Sequence, residues 1–220
     1  MIGGNWTREA AFMTKLFLAA LLAAAAGPVQ AQSSSPAAPI NPSLDSVEER
    51  KALQKMSSCI ARARPRWARQ MLSKPYLSDG QSLLAGEALV GRDGCITGPE
   101  AEVTMRPATL VGSLAEHFVR ADIQKADTKR LARTLERIAP LNASEDFALC
   151  VTARNPDAAR ELALSEPGSD VEERSARRLA AYVEPCTNPG EALTVDLQSL
   201  RALVSTALYR GVTAVLTSGS

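Results

Sequence analysis

Apolar residues in this chain recur every three or four positions over long stretches, which is the period of a helix with one buried face. Two stretches share the same pattern, with an apolar residue at every fourth position. They are Leu110, Leu114 and Phe118 in one stretch and Leu200, Val204 and Leu208 in the other. Both stripes are therefore predicted to face a core from a helix.

Turn and capping residues predict where the helices of the second half begin and end. Asn155 precedes a proline, the order that favours an N-cap followed by the first helical position, so we expect a helix over 156–165. Ser169 is predicted to cap a second helix, from Asp170 to Val183, with acidic residues early and basic residues late. Apolar spacing between Asp122 and Ile138 predicts a further helix that links the two halves.

The four cysteines fall into a repeat. Cys59 and Cys95 are 36 positions apart, Cys150 and Cys186 are also 36 apart, and the second pair follows the first at an offset of 91. The same offset, which becomes 90 after the second cysteine of each pair, aligns Pro65 with Pro156, Arg69 with Arg160, Asp79 with Asp170, Leu110 with Leu200 and Arg120 with Arg210. The chain is therefore predicted to be a tandem duplication.

The predicted fold class is all-α, a duplicated unit of three to four helices with one disulfide in each copy. Two extended pieces, Val103 to Met105 and Leu193 to Val195, could add a tiny two-stranded ribbon, although two strands alone are marginally stable. The predicted segments are a signal peptide at 1–31, a flexible leader at 32–44, the first copy at 45–121, a linking helix at 122–141, the second copy at 142–212 and a C-terminal tail at 213–220.

The N-terminus has the pattern of a secretory signal. Lys15 precedes an apolar run from Leu16 to Ala26, which is shorter than the roughly 20 residues that cross a bilayer. Small residues before Gln32 place the expected cleavage there, and Met13 would start a signal of normal length. The mature protein is expected to be periplasmic or secreted, with no transmembrane segment, because no second long apolar run follows.

Export also bears on the cysteines, because an oxidising compartment favours disulfides over metal ligation. Of the three connectivities, only Cys59 with Cys95 and Cys150 with Cys186 could have formed within one unit before duplication, so we expect this pairing. Each bond would contribute about 3 to 4 kcal/mol in the chain-entropy model. Four free thiols are the alternative, and a zinc site is disfavoured because the chain has no C-x2-C pair and one histidine.

The repeat also resembles a family of uncharacterised exported bacterial proteins. The residues that carry the resemblance are Cys59-x5-Pro65-x2-Ala68-Arg69 with Cys95, Cys150-x5-Pro156-x2-Ala159-Arg160 with Cys186, and the closing Arg201-x-Leu203-x4-Leu208-Tyr209-Arg210. The resemblance covers most of the mature chain and implies an exported two-copy helical fold, without an activity, substrate or catalytic residue. The first copy departs from the closing motif, because it has His117-Phe118-Val119-Arg120 there.

Residues that could carry out catalysis are few. A hydrolytic triad needs a histidine, and the single histidine, His117, lies beside Phe118 in an apolar stripe, so we expect an ordinary side chain at a helix interface. Asp79 and Asp170 could act as paired carboxylates, but each follows a serine at a predicted helix start, where capping explains it. The sequence predicts no catalytic residue, no metal site and no cofactor.

The run from Lys51 to Lys74 has seven basic residues and no acidic one, whereas the matching segment of the other half has mixed charges. The candidate anion-binding residues in this run are Arg62, Arg64, Arg66, Trp67 and Arg69. Such a face could bind a lipid headgroup, lipopolysaccharide, an acidic polymer or an acidic protein. The alternative is a solvated face that acidic residues of the folded chain neutralise.

Nucleic acid is a poorer partner for this chain. Removing residues 1–31 takes away two of the 25 basic and one of the 24 acidic residues, so the mature chain has no net charge. The expected function is that of a non-enzymatic periplasmic binding or scaffolding module. Anion binding through the basic 51–74 face is the first alternative, and an unrecognised cell-envelope enzyme is the second. The sequence does not identify a partner beyond an anionic envelope component or another protein.

Overall fold

The fold is given by a computed structural model, which describes residues 46–89, 94–95, 106–188 and 193–218. Within these ranges the secondary structure is helical and contains no β-strand, which confirms the predicted all-α class. The helices are α1 (Val47–Ala63), α2 (Pro65–Leu72), α3 (Asp79–Leu89), α4 (Pro107–Asp122), α5 (Thr128–Leu135), α6 (Ala143–Arg154), α7 (Pro156–Leu164), α8 (Asp170–Ala180) and α9 (Leu197–Thr217). Two short 3-10 helices occur at Ile123–Lys125 and Glu184–Cys186.

Several predicted segments lie outside the described residues. They are the signal peptide at 1–31, the leader at 32–44 and the first piece of the ribbon, Val103 to Met105. The signal peptide and the ribbon therefore stay predictions.

Local capping explains where the helices begin. The Oγ of Ser46 accepts a hydrogen bond from the backbone N–H of Glu49, and the Glu49 carboxylate accepts one from the N–H of Ser46, which together form a capping box at α1. The side chains of Asn142 and Asn155 act as the N-caps of α6 and α7, and Pro156 follows Asn155 as the first residue of α7. The helix predicted over 156–165 is present as α7.

Three predicted elements differ from the structure. The linking helix is broken, because Asp127 is extended and caps α5, which leaves a 3-10 turn before it. Helix α8 stops at Ala180, short of the predicted Val183, and the chain continues through a turn into the second 3-10 helix. The predicted tail is helical as far as Thr217, because α9 continues through 213–217.

The two disulfides join the cysteines as predicted, Cys59 with Cys95 and Cys150 with Cys186. Their Cα atoms are 5.6 and 5.7 Å apart, within the ordinary range for a disulfide. In the first half the bond ties α1 to the segment after α3, and in the second half it ties α6 to the 3-10 helix after α8. In each half, the bond therefore fastens the first helix to the chain beyond the third helix.

The described helices form one unit around two hydrophobic clusters. One cluster is built from α1, α2, α3 and α4, and the other mainly from α5 to α9. Both predicted stripes are buried, since Leu110, Leu114, Leu200, Val204 and Leu208 have 0% of their surface exposed and Phe118 has 5%. Leu203 and Tyr209 of α9 pack against both clusters, so α9 connects the two cores.

Helices α4 and α9 approach each other most closely at Gly112 and Ala202. A Cβ atom added to Gly112 would lie 2.4 Å from the Ala202 Cβ and 2.5 Å from its Cα. Such a distance means that these helices pack with almost no space between their backbones. Gly112 and Ala202 are 90 positions apart, the offset of the sequence repeat in this region, so matching positions of the two halves meet here.

A loop from each half also rests on the first helix of the other half. The carboxylate of Glu145 accepts a 3.0 Å hydrogen bond from the N–H of Tyr76, and the backbone of Gly168 lies against Val47. Both loops contain a residue with positive φ, Leu77 at 60° and Gly168 at 79°. These residues are 91 positions apart, so the same turn recurs in both halves.

The close approach at Gly112 predicts that Gly112→Ala destabilises the protein by about 1 to 3 kcal/mol. Alanine is the better helix former by up to about 1 kcal/mol, but the added methyl would meet the Ala202 backbone, which moves only if the helices separate. Urea unfolding with intact disulfides measures this change. Gly86→Ala in α3 is the matched control, since no heavy atom lies within 4 Å of that Cβ, and it should stabilise by about 0.5 to 1 kcal/mol. Equal stabilisation by Gly112→Ala and Gly86→Ala would contradict the close packing of α4 against α9.

Candidate functional site

A buried guanidinium lies between the two halves. Arg201 of α9 is 1% exposed, and its Nε and Nη2 atoms donate to the two carboxylate oxygens of Glu116 in α4, at 2.7 and 3.1 Å. Its Nη1 donates to Glu172 of α8 at 2.8 Å, and Nη2 also donates to the carbonyl of Ser165 at 2.7 Å. Burial would lower the pKa of Arg201, but the two carboxylates raise it above its usual value.

Helix α1 completes this buried ion network. Arg50, 5% exposed, donates to Glu172 at 2.6 Å, and Gln54 donates to Glu116 at 2.7 Å. The second oxygen of Glu172 accepts from the backbone N–H of Gly168. The network contains two guanidinium groups and two carboxylates, so its charges balance. It joins α1 and α4 of the first half to α8 and α9 of the second.

Arg120 binds across the boundary between the halves, and Arg210 holds a carboxylate of the second half that does so. Arg120 of α4 donates to the carbonyls of Leu164 and Ser165, at 2.7 and 2.9 Å. Arg210 of α9 forms an ion pair with Glu145, whose carboxylate also accepts the hydrogen bond from the backbone N–H of Tyr76. These contacts and the ion network use charged side chains to fix the position of one half against the other.

The sequence did not single out these charged residues. Glu116 and Arg201 directly follow apolar residues of helical stripes, Ala115 and Leu200, and nothing in the local pattern shows that they meet. One signal was present, because Arg201, Tyr209 and Arg210 belong to the closing motif of the repeat. The residue of the first half that matches Arg201 is Val111, so the motif alone gave no reason to expect a partner.

The predicted anion-binding residues lie at the end of α1 and on α2. Arg62, Arg66 and Arg69 are exposed, whereas Arg64 and Trp67 are half-buried. The guanidinium carbon of Arg64 is 4.8 Å from the centre of the Trp67 ring, a cation–π distance. The structure therefore pairs Arg64 with Trp67 and leaves the three other arginines on the surface.

Helix α4 brings the imidazole of His117 to this face. The guanidinium carbon of Arg69 is 4.6 Å from the centre of the Phe118 ring, and the His117 ring meets the same ring edge-on at 5.4 Å. Burial lowers the pKa of His117, and the positive charges of Arg62 and Arg69 lower it further. We call Arg62, Arg69 and His117 the cationic cluster. The sequence treated His117 as an ordinary side chain at a helix interface and did not connect it with the basic run.

The two candidate carboxylates are the first residues of their helices. Asp79 begins α3 and Asp170 begins α8. The preceding serines act as caps, since Ser78 accepts a hydrogen bond from the N–H of Gln81 at 3.3 Å and Ser169 accepts one from the N–H of Glu172 at 3.2 Å. Both aspartates therefore have the positions that a helix start favours for an acidic residue.

An open groove of about 750 Å³ lies between α7 and α8. Its walls carry charges of both signs, and several of these already bond to one another. Glu161 pairs with Arg178 and accepts a hydrogen bond from Ser175, and Arg160 donates to Gln124 at 2.5 Å. The groove thus presents a charge-mixed surface, in contrast to the cationic cluster.

Comparison with known proteins gives no match, whether to a family model, to a curated protein or to a solved structure. Within the described ranges, no helix combines the length and the apolar character needed to cross a bilayer. The same ranges contain no group of three or more histidine, cysteine, aspartate or glutamate residues placed to hold a metal ion.

The ion network predicts that Arg201→Met destabilises the protein by about 3 to 5 kcal/mol, because Glu116 and Glu172 would keep buried charges without their shared partner. Urea unfolding of the oxidised protein measures the change. Arg177→Ala is the control, because its ion pair with Glu173 is exposed on both sides and should contribute only about 0.3 to 0.5 kcal/mol. A loss as small as the control's would show that the network does not hold the halves together.

The cationic cluster predicts the titration of His117. The chain has one histidine, so one imidazole signal in an NMR titration reports its pKa directly. We expect a pKa below the usual value of about 6.5, and a higher one in Arg62→Ala and Arg69→Ala, because each change removes a nearby positive charge. Arg160→Ala, at the position that matches Arg69 in the other half, should leave the titration unchanged. An unchanged pKa of His117 in both Arg62→Ala and Arg69→Ala would show that these arginines do not lie close to the imidazole.

Proposed function

We propose that this chain is an exported protein that acts by binding or scaffolding in an oxidising compartment. The observation that carries the proposal is that each half is closed by its own disulfide while buried ion pairs lock the halves to each other. Such a molecule presents a surface of fixed shape. A preformed surface binds a partner without a large cost of ordering, which is the property a binding module needs.

We also propose that the chain arose by duplication of a four-helix unit. Matching helices begin at one offset, since Pro65 and Pro156 open α2 and α7, and Asp79 and Asp170 open α3 and α8. The meeting of Gly112 with its counterpart Ala202 supports this history. In a symmetric dimer, residues near the two-fold axis contact their own equivalents, and the two halves of this chain have that relationship.

Export is supported by the two disulfides, which persist in oxidising compartments and are rare in the cytosol. The signal peptide predicted at 1–31 would direct the export of the chain. The resemblance to exported bacterial proteins with the same cysteine pattern agrees with this localisation, and we propose that the chain belongs with them. Their shared feature would be the disulfide-closed scaffold rather than a common catalytic residue.

The proposal predicts the covalent state of the protein in the cell that makes it. A non-reducing peptide map of protein recovered from the periplasm or the medium should show a chain starting at Gln32, with Cys59 joined to Cys95 and Cys150 to Cys186. The cytosolic fraction should contain only precursor. A mature protein recovered from the cytosol with free thiols would contradict export.

The binding role is tested separately, by chemical cross-linking in intact cells followed by non-reducing electrophoresis. We expect discrete adducts of defined mass with the wild-type protein. The Arg201→Met variant is the control for the fixed surface, because its halves lose their buried link, and it should give fewer adducts at equal abundance. A wild-type chain that remains free of adducts at every cross-linker length would count against the proposal.

A further inference from the structure

Arg69 and His117 contact the ring of Phe118, and Arg62 lies close enough to His117 to lower its pKa. Arg62 comes from the end of α1, Arg69 from α2 and His117 from α4. Phe118 lies at the centre, in contact with Arg69 on its face and with His117 at its edge. Tyr209 of α9 packs against the same ring at 5.8 Å. Four helices therefore build this patch, and the disulfide of the first half fastens α1 just before Arg62.

The cluster has no counterion in the described part of the chain. Among those residues, no carboxylate forms an ion pair with Arg62 or Arg69. The carboxylate nearest in sequence to His117, Glu116, turns inward to the buried Arg201. Neighbouring like charges raise the free energy of the folded state, so the cluster is stabilised when an anion binds it.

The scaffold does not require this concentration of charge. The matching positions of the other half are Ala153 for Arg62, Arg160 for Arg69 and Ala207 for His117. Arg160 bonds to Gln124, a neutral side chain, and no second cluster forms around it. Because the second half keeps only one of these three basic residues at the matching positions, the helical scaffold alone does not explain the cluster.

We propose that Arg62, Arg69 and His117 form a binding site for a phosphate group on the surface of the first half. The inference rests on the proposed binding function and names the ligand chemistry of one of its surfaces. Stacking on Phe118 holds the Arg69 guanidinium by its face and leaves its N–H edge free to donate to oxygen atoms.

A phosphate group fits this cluster better than a carboxylate does. A carboxylate is planar, and one arginine satisfies it with two parallel hydrogen bonds. A phosphate group carries its oxygens in a tetrahedral arrangement and up to two negative charges near neutral pH. Donors on three separate side chains can each bind a different oxygen of one tetrahedral group.

The charge of the site changes with pH. Three groups on the neighbouring helices face His117 or Phe118. They are Arg62 of α1, Arg69 of α2 and Tyr209 of α9. Burial raises the pKa of Tyr209, so its phenol stays neutral. On α4 itself, Glu116 bonds to Arg201 and Asp122 pairs with Lys125. Protonation of His117 therefore adds a third positive charge to the site, and the Asp122 carboxylate, which acts on the Tyr209 phenol, is already paired with Lys125. Phosphate binding should tighten as the pH falls through the pKa of His117.

The experiment uses the oxidised mature chain and three probes: glycerol phosphate, vesicles of phosphatidylcholine with phosphatidic acid, and vesicles of phosphatidylcholine alone. Calorimetry measures binding of the soluble probe, and co-sedimentation measures binding to vesicles. Arg62→Ala and Arg69→Ala should each weaken binding by about tenfold, because each removes charge-assisted hydrogen bonds. Arg160→Ala is the matched control, a half-exposed arginine outside the cluster at the position that matches Arg69, and should change the affinity less than about twofold.

A second readout does not depend on affinity. Saturation with glycerol phosphate should raise the pKa of His117 in the NMR titration, since a bound anion favours the imidazolium. The affinity of the wild type for glycerol phosphate should depend on pH more strongly than the titration of the probe alone explains. His117→Gln should abolish this additional pH dependence. Unchanged melting temperatures would confirm that the variants remain folded.

Each outcome decides the proposal. Binding of both glycerol phosphate and phosphatidic acid supports a site for the phosphate group itself, and binding of the acidic vesicles alone supports the same site with a lipid headgroup as its source. Binding that arginine substitutions in the cluster leave unchanged, or no binding to any phosphate probe, would overturn it. A protein found exported and cross-linked in cells but inert in these assays would refute this site while leaving the binding function intact.

Discussion

The buried guanidinium of Arg201 is the interaction on which the arrangement of the two halves depends. A charge at 1% exposure is costly unless every donor finds an acceptor, and here the acceptors are Glu116 from the first half and Glu172 with Ser165 from the second. A shift of one half against the other would separate these groups and leave charges buried without partners. The close contact of Gly112 with Ala202 sets the distance between α4 and α9, and the ion network adds a requirement for specific partners. It therefore selects one docking among the many that hydrophobic packing alone would allow.

The two halves share their packing and differ in their polar chemistry. Gly112 meets Ala202, and the loops at Leu77 and Gly168 repeat the same positive φ, so the scaffold follows the 90- to 91-residue offset closely. The specific side chains depart from it, since Arg201 stands opposite Val111 in the alignment and His117 opposite Ala207. In the duplication that we propose, one copy of each position is free to change as long as the other keeps the fold. The residues of the ion network lie at positions where the halves differ, and so do Arg62 and His117 of the cationic cluster, whereas Arg69 matches Arg160.

Local signals in the sequence were enough to predict much of the fold. Caps such as Asn155 and Ser169, the cysteine spacing and the apolar stripes each act within a few residues or through one fixed offset, so helix starts and both disulfides followed from them. The linking segment was harder, because an apolar spacing of three and four hid the capping role of Asp127. The ion network could not be predicted. Glu116 and Arg201 are 85 positions apart, and their meeting depends on how α4 crosses α9, which no local pattern records.

The buried ion network and the cationic cluster differ in whether their charges are paired within the described chain. In the network, the charges are buried and balanced and each guanidinium bonds to a carboxylate, although the Nε of Arg50 has no partner among the described residues, so their contribution is to the position of the halves. In the cationic cluster, Arg69 and His117 gather around Phe118 with positive charge that no carboxylate of the described residues pairs with. Exposed like charges gathered at one place repel one another and do not have that role. The phosphate group proposed above would supply the negative charge and the acceptor oxygens that no described carboxylate provides.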